Sequence, residues 1–201
     1  LYDGITTTQI DELTAEQCAS LSSTHPDENV LAGRIMVSNH QRNTSASFSE
    51  VMIQLYEHKD KHGKHSPLVS TSLYHRVLEN REVLDTMCDY SRDYLIDYFG
   101  FKTLERAYLK AVNRINVERP QHMYMRIALW VNDTLDEVID YYKSLSEQRI
   151  SKATPIMINS GTLVPQLASC VLHYNNSDSR GGLLGTLNDI STYSSDAAGI
   201  G

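Results

Sequence analysis

PQLASCVL, residues 165–172, stands where the sequence pattern of the chain changes from helical to mixed α/β. The stretch predicts a short strand that follows a loop marked by Gly and Pro and carries one thiol among small residues. We predict a strand and loop over residues 152–162, a strand over residues 166–174 and a helix over residues 182–194. The apolar residues of this helix that we expect to face inward are Leu183, Leu184, Leu187 and Ile190. Strand, loop, strand and helix in this order are typical of the start of a repeating α/β arrangement.

The part of the chain before residue 150 repeats its apolar residues at helical spacing. Residues that cap or start helices precede several of these runs: Thr6 to Thr8, His25-Pro26-Asp27, Ser47 to Glu50 and Thr134. In the helix after Pro26, the residues expected on the buried face are Val30, Leu31, Ile35 and Met36. From Phe99 to Met123 we predict two short extended runs about a turn at Asn113-Arg114, and then a helix that Pro120 opens. The first part of the chain is therefore predicted to be mostly helical.

The composition is that of an ordinary globular domain, with 201 residues, 41% hydrophobic and 21% charged. The net charge of −7 and the pI near 5.6 predict repulsion of nucleic acid rather than binding. No apolar run has transmembrane length and no signal-peptide pattern opens the chain, so we expect no membrane association. Because the chain starts at Leu and stops on Gly-Ile-Gly, we expect a fragment that lacks both ends.

Three cysteines occur, Cys18, Cys88 and Cys170, and none belongs to a CxxC pair. A sparse set of odd number favours a reducing compartment over a disulfide framework, and we expect a cytoplasmic protein. Cys18 and Cys88 lie in helical patterns and are interpreted as packing residues. A free cysteine is most often a small buried hydrophobe, so the residues alone leave Cys170 open between packing and chemistry.

A histidine-rich stretch over residues 58–65 has the appearance of a metal site. His58 and His62 are four residues apart, and Asp60 lies between them. The neighbouring lysines would repel a dication, however, and Gly63 is typical of a connector. We therefore predict a polar loop between helices, and no metal ligands.

Several short motifs follow one another along the chain, and six-residue ones such as ERPQHM are far more specific than a single glycine motif. They are FGFKTLER at residues 99–106, ERPQHM at 118–123, ATPIM at 153–157, NSGT at 159–162, SC at 169–170, DS at 178–179 and AAGIG at 197–201. In this order and with this spacing, the chain resembles the large subunit of class I ribonucleotide reductase. The resemblance implies an α+β fragment, with a mostly helical N-terminal part followed by the first strands of a ten-stranded α/β barrel. It also implies three parts: residues 1–43 as the C-terminal half of an ATP-cone regulatory domain, 44–150 as a helical domain, and 151–201 as the truncated start of the barrel catalytic domain.

The same resemblance implies a chemistry, the thiyl-radical reduction of ribonucleoside diphosphates. Cys170 matches the first cysteine of the family's redox pair, which donates a proton to the departing 2′-hydroxyl and is oxidised with a second cysteine. That second cysteine is not in this sequence. Thr154 and Ser169 match substrate-contact positions, and Gly199 matches a glycine whose backbone approaches the substrate. The residues alone also allow Gly199 to Gly201 to be a tight turn into a strand.

The resemblance further implies two effector sites. Asp178, Ser179 and Arg180 match the beginning of the specificity site, where a dNTP at the dimer interface selects the base to be reduced. A solvated polar turn is the alternative that these residues alone leave open.

Thr7, Asp11 and Arg42 match positions of the activity site, which senses ATP against dATP. From the residues alone, the alternatives are a helix cap for Thr7, a first-turn acid for Asp11 and a solvated helix-end charge for Arg42.

No cofactor is expected on this chain itself. The resemblance implies ATP, dATP and dNTP effectors, and a radical from the metal cofactor of a separate small subunit. It also implies ribonucleoside diphosphate substrates, thioredoxin or glutaredoxin as reductant, and a homodimer of large subunits. Two alternatives stay open at this point: a cobalamin-dependent (class II) reductase with the same barrel, and a non-catalytic nucleotide-binding regulatory module.

Overall fold

Helix α7, Pro120–Val131, is the central element of the fold in the computed structural model, which describes residues 3–164 and 166–201. Pro120 occupies the first turn, where its fixed φ suits a helix and its missing N–H leaves no bond unmade. This start confirms the helix predicted at Pro120. The helix is buried on nearly all sides, as expected of an apolar helix in a protein interior.

Nine further helices and four short strands are found in the described residues. The helices are α1 Thr7–Ser20, α2 Pro26–Arg42, α3 Phe48–Tyr56, α4 Thr71–Glu79, α5 Arg81–Met87, α6 Tyr98–Ala107, α8 Leu135–Ser146, α9 Thr154–Asn159 and α10 Arg180–Ser195. A 3₁₀ helix, Tyr90–Leu95, precedes α6. The strands are β1 Ala111–Val112, β2 Ile115–Asn116, β3 Cys170–Val171 and β4 Gly199–Ile200. The prediction of a mostly helical first part is confirmed.

Two hydrophobic cores lie against α7. Its residues Met125, Ala128 and Leu129 pack into a core shared with α3, α4, α5 and α8, and Met123 and Ile127 pack into a second core shared with α1, α2, α6 and α8. The first core includes Phe48, Leu55, Leu73, Leu84 and Tyr142. The second includes Ala15, Met36, Val37, Phe101 and Leu145. One helix thus joins the two cores into a single packed body.

The predicted helix starts are confirmed by their capping contacts. The Thr6 side chain accepts a hydrogen bond from the Gln9 amide at 3.2 Å, and Gln9 Oε1 accepts one from the Thr6 amide at 3.0 Å. Ser47 caps α3, and Thr134 caps α8 together with a glutamate three residues later. Each of these contacts satisfies amides that the first helical turn leaves without partners.

The predicted buried face of α2 is partly wrong. Met36 is buried, but Val30 and Leu31 are exposed, and Ala32 lies inside instead. The cause is Gly33, where an added Cβ would stand only 2.9 Å from the Tyr98 amide nitrogen. The helix turns its small residues toward this backbone, because the close approach leaves no room for larger ones.

The region from residue 99 to residue 107 is helical, which makes the prediction of an extended run there wrong. Asp97 caps α6 by accepting a hydrogen bond from the Gly100 amide at 2.7 Å. The turn that follows is confirmed, because β1 and β2 form an antiparallel hairpin about Asn113 and Arg114. Their φ values of 52° and 68° are those of a two-residue turn that suits strand twist.

The strand predicted within residues 152–162 is also wrong, because α9 occupies Thr154–Asn159. The apolar run Ile156-Met157-Ile158 is short and continuous, and such a run does not distinguish a strand from a helix. Pro155, however, lies in the first turn of the helix, where proline is favoured. Contacts from α7 at the other end of α9 complete the helix.

The strand predicted over residues 166–174 is confined to β3, and Pro165 of the opening stretch lies outside the described residues. β3 pairs in parallel with β4, and α10 connects the two strands. The predicted helix is therefore present, but its leucines do not face inward: Leu183, Leu184 and Leu187 are all more than half exposed. The remaining strands of a ten-stranded barrel stay a prediction.

Candidate functional site

The candidate site is built on the parallel pair β3–β4. Cys170 lies opposite Gly199 in the register, and the Gly199 amide donates a hydrogen bond to the carbonyl oxygen of Ser169 at 2.8 Å. A Cβ added to Gly199 would lie 3.3 Å from the sulfur of Cys170. The absence of a side chain at Gly199 therefore keeps the surface next to this thiol open. The structure thus brings Ser169, Cys170 and Gly199 together, and Cys170 is exposed.

Thr154 lies at the first position of α9, across a pocket from the chain that leads into β4. The pocket has a volume of about 240 Å³, and its lining includes Thr154, Asn159, Gln166 and Ala197. The Thr154 hydroxyl lies 3.0 Å from the hydroxyl of Tyr108. Ala197, two residues before Gly199, connects this pocket to the strand pair. Of the four residues predicted to contact substrate or react, Thr154 thus lies on α9 and the other three lie at the neighbouring β3–β4 pair.

Arg126 is the residue at this site that sequence analysis missed. It pairs with Glu118 through two hydrogen bonds, at 2.6 Å to Oε1 and 3.1 Å to Oε2, and both side chains are fully buried. The same guanidinium donates to the carbonyl oxygens of Ser160 at 2.6 Å and Met157 at 3.1 Å. One buried group therefore binds the last turn of α9 to the central helix. A charged residue inside an apolar helical run was the available signal, since such residues are almost never buried without a partner.

The residues predicted for the specificity site lie together at the start of α10. Ser179 caps this helix by accepting a hydrogen bond from the Gly182 amide at 3.1 Å, and its hydroxyl lies 2.9 Å from that of Ser177. Asp178 and Arg180 flank it, and all three predicted residues are exposed. The polar-turn alternative accounts for the contacts of Ser179.

The residues predicted for the activity site lie at the pair of helices α1 and α2. Arg42, at the end of α2, forms an ion pair with Asp11 on α1. Thr7 is exposed at the first position of α1, and the cap of this helix is Thr6, so the alternative interpretation of Thr7 as the cap is wrong. The alternative of a solvated charge for Arg42 is incomplete, because the guanidinium joins the two helices.

Two buried residues of the ERPQHM motif, Arg119 and His122, tie the start of α7 to its surroundings. Arg119 donates hydrogen bonds to the carbonyl oxygens of Gln41 at 2.7 Å and Thr44 at 2.6 Å. His122 Nδ1 accepts one from the Arg119 amide at 3.2 Å. Burial lowers the pKa of His122 to about 3, so its ring is neutral at physiological pH. These contacts hold the end of α2 against α7.

The histidine-rich loop forms no cluster of metal ligands in the described part of the chain. His58 Nδ1 lies 2.8 Å from the carbonyl oxygen of Ser66, and His65 Nε2 lies 2.7 Å from that of Tyr56. Ring nitrogens thus bridge the loop to itself and to α3. Among the described residues, no helix combines the length and apolar character needed to cross a membrane.

Comparison with known proteins identifies the family that the chain resembles. Residues 94–163 match the family model of the ribonucleotide reductase all-alpha domain. The whole chain aligns with ribonucleoside-diphosphate reductase large subunits, at 44% identity with the one from Arabidopsis thaliana and 42% with those from Plasmodium falciparum (isolate Dd2) and Caenorhabditis elegans. The chain belongs to the family of ribonucleotide reductase large subunits. It spans about a quarter of the length of these relatives, 25% or 26% in each case.

Proposed function

We propose that the protein carrying this chain reduces ribonucleoside diphosphates to deoxyribonucleoside diphosphates. The observation that supports this proposal is the exposed thiol of Cys170 beside Gly199 and Ser169 on the β3–β4 pair. The names of the relatives support the substrate class, since they specify ribonucleoside diphosphates. They also favour a two-subunit enzyme over a cobalamin-dependent one, because they are called large subunits.

In the proposed reaction, a thiyl radical removes the 3′ hydrogen of the ribose, and the 2′-hydroxyl then leaves as water with a proton from Cys170. Cys170 and a second cysteine supply two electrons and close a disulfide, hydrogen takes the place of the hydroxyl at C2′, and the 3′ hydrogen returns. Thiols suit these tasks because they donate protons and close a disulfide that a partner can reopen. We assign substrate contact to Thr154, Ser169 and the backbone of Gly199.

We propose three parts for the chain: residues 1–43 as the second half of an ATP cone, 44–150 as a helical domain, and 151–201 as the start of a ten-stranded barrel. The βαβ unit β3–α10–β4 supports the last assignment, because such units build parallel barrels. Asp178, Ser179 and Arg180 are proposed for dNTP binding. Thr7, Asp11 and Arg42 are proposed for ATP or dATP, which would then displace Asp11 from Arg42.

The proposed partners are a radical-generating small subunit, a thioredoxin or glutaredoxin, and a second large subunit. The metal cofactor belongs to the small subunit and supplies the radical, and no cofactor is proposed on this chain. A cytoplasmic location agrees with the absence of CxxC pairs from the sequence.

The test is CDP reduction by the complete protein with a small subunit and dithiothreitol. We expect the wild type and Cys18→Ser to make dCDP and Cys170→Ser to make none. Cys18→Ser is the matched control, because it makes the same change of thiol to hydroxyl at a position on α1, away from the candidate site. Equal activity of Cys170→Ser and wild type would refute the redox role of Cys170. Wild-type protein that is inactive with every small subunit, but active with adenosylcobalamin, would identify the cobalamin-dependent class instead.

A further inference from the structure

We propose that Arg126, oriented by Glu118, is a positioning residue that sets where α9 holds Thr154 beside the substrate. The inference rests on the proposed function, since it concerns a predicted substrate contact. Arg126 itself is fully buried on α7 and acts through the backbone of α9.

Helix α9 has little of its own to hold it in place. It has six residues, and none of them is fully buried. A helix of this length is not stable by itself, since nucleation costs more than its few hydrogen bonds return. Ile156 and Met157 pack against the second core, and hydrogen-bonding groups at the two ends of the helix fix its position on that core.

Those groups lie in three different parts of the chain: on α7, just before α4 and just after α6. Arg126 donates to the carbonyl oxygens of Met157 and Ser160, and the Ser70 amide donates to that of Gly161 at 2.8 Å. At the start of the helix, Tyr108 contacts the Thr154 hydroxyl. Six helical residues span about 9 Å, so a shift at the Arg126 end is transmitted to Thr154.

The chemistry of the ion pair also favours positioning over stability. A buried ion pair gains little over apolar packing, because desolvation of both charges offsets their attraction. What only arginine supplies is a planar set of donors that bind a carboxylate and neighbouring oxygens in fixed directions. Glu118 is itself fixed, because its Oε2 accepts a hydrogen bond from the Lys110 amide at 2.9 Å, and its carbonyl oxygen lies 3.0 Å from His40 Nε2.

The test compares Arg126→Lys with Arg76→Lys in the complete protein with its small subunit. Lysine keeps the charge beside Glu118 but cannot reach both carbonyl oxygens of α9 in the same geometry. Arg76 is the matched control, because it likewise binds backbone oxygens at a helix end, those of Leu129 and Asp133 at the end of α7. We expect the KM for CDP to rise about tenfold in Arg126→Lys, because displacement of Thr154 would weaken about one hydrogen bond to the substrate. kcat should change less than KM, and Arg76→Lys should match the wild type in both.

Hydrogen exchange separates this inference from the proposed function. Amides of residues 156–162 should exchange faster in Arg126→Lys than in Arg76→Lys, whether or not the protein reduces CDP. If the wild type does not reduce CDP but Arg126→Lys still exchanges faster than Arg76→Lys, the proposed function is refuted while Arg126 remains the residue that holds α9. Equal exchange, or a lower kcat at unchanged KM, would overturn the inference. Glu118→Gln is the second variant: if it and Arg126→Lys both unfold where Arg76→Lys stays folded, the pair serves stability and the inference fails.

Discussion

Asp93 lies buried between α2 and α7 and makes the stability of the fold depend on pH. Its carboxylate accepts hydrogen bonds from Gln41 at 2.8 Å and Gln121 at 3.1 Å, and its side chain is fully buried. Burial raises the pKa of Asp93 to about 6 from its ordinary value of 3.8, because desolvation outweighs these hydrogen bonds and the charge of Arg119.

The folded protein therefore holds a proton on Asp93 between about pH 4 and pH 6, where the unfolded chain has lost it. Stability falls with rising pH wherever the folded state binds more protons, so the free energy of unfolding decreases as pH rises through this range. A rise of about two pKa units corresponds to about 3 kcal/mol, most of it lost between pH 4 and pH 7. Asp93→Asn removes the titrating group and, with it, this part of the pH dependence.

Urea unfolding at pH 4, 5, 6 and 7 measures the effect, with the fluorescence of Trp130 as the probe. Trp130 is the single tryptophan and packs against the first core. Other carboxylates contribute equally to both proteins, so we compare the wild type with Asp93→Asn by difference. Asp89→Asn is the control of opposite sign, because a hydrogen bond from Ser91 lowers the pKa of Asp89. A wild-type minus Asp93→Asn difference that is flat from pH 4 to pH 7 would refute the reasoning.

Three further predictions follow from single contacts. Gly161→Ala should destabilise the chain by about 2 kcal/mol in thermal unfolding, because φ is +72° and the new Cβ would stand 2.7 Å from a leucine methyl group. Gly63→Ala is the control: its φ is +75° but the space around it is open, so it should cost less, and equal losses would contradict this account. Thr134→Ala should cost about 1 kcal/mol through the lost cap of α8, whereas no change in urea midpoint would mean that the cap is replaced by water. A thiol reagent at pH 8 should label the exposed Cys170 rapidly and leave Cys88 unlabelled, because burial raises the pKa of Cys88 to about 12. Labelling of Cys88 in the folded protein would disprove its burial.

Helix starts and the hairpin turn could be predicted because their causes lie within a few residues. The Thr6 cap and the Asn113-Arg114 turn are satisfied by hydrogen bonds and φ values of the same segment. The Asp97 cap of α6 is equally local, since its side chain accepts a hydrogen bond from the Gly100 amide, but the prediction of an extended run did not use it. Here the information was present, and the capping signal was the stronger one.

The candidate site required contacts that no local pattern contains. Cys170 and Gly199 are 29 positions apart, and only the resemblance related them before the strand register placed them side by side. For α9, the short apolar run Ile156-Met157-Ile158 does not distinguish a strand from a helix, and the end of the helix is held by a residue of α7 about thirty positions earlier. The periodicity of apolar residues within a segment cannot predict hydrogen bonds between residues so far apart in the sequence.

The leucines of α10 mark a different limit of sequence reasoning. Their helical spacing correctly predicted a helix, yet Leu183, Leu184 and Leu187 are exposed in the structure. An apolar face predicts burial only when the covering surface is present, because the driving force is the removal of apolar area from water. The chain spans about a quarter of the length of its relatives, so a helix pattern within it can be correct while its covering surface is contributed by other residues. Arg126 shows the opposite case, since its partner Glu118 and the carbonyl groups it binds all lie within these residues and the pair is fully buried.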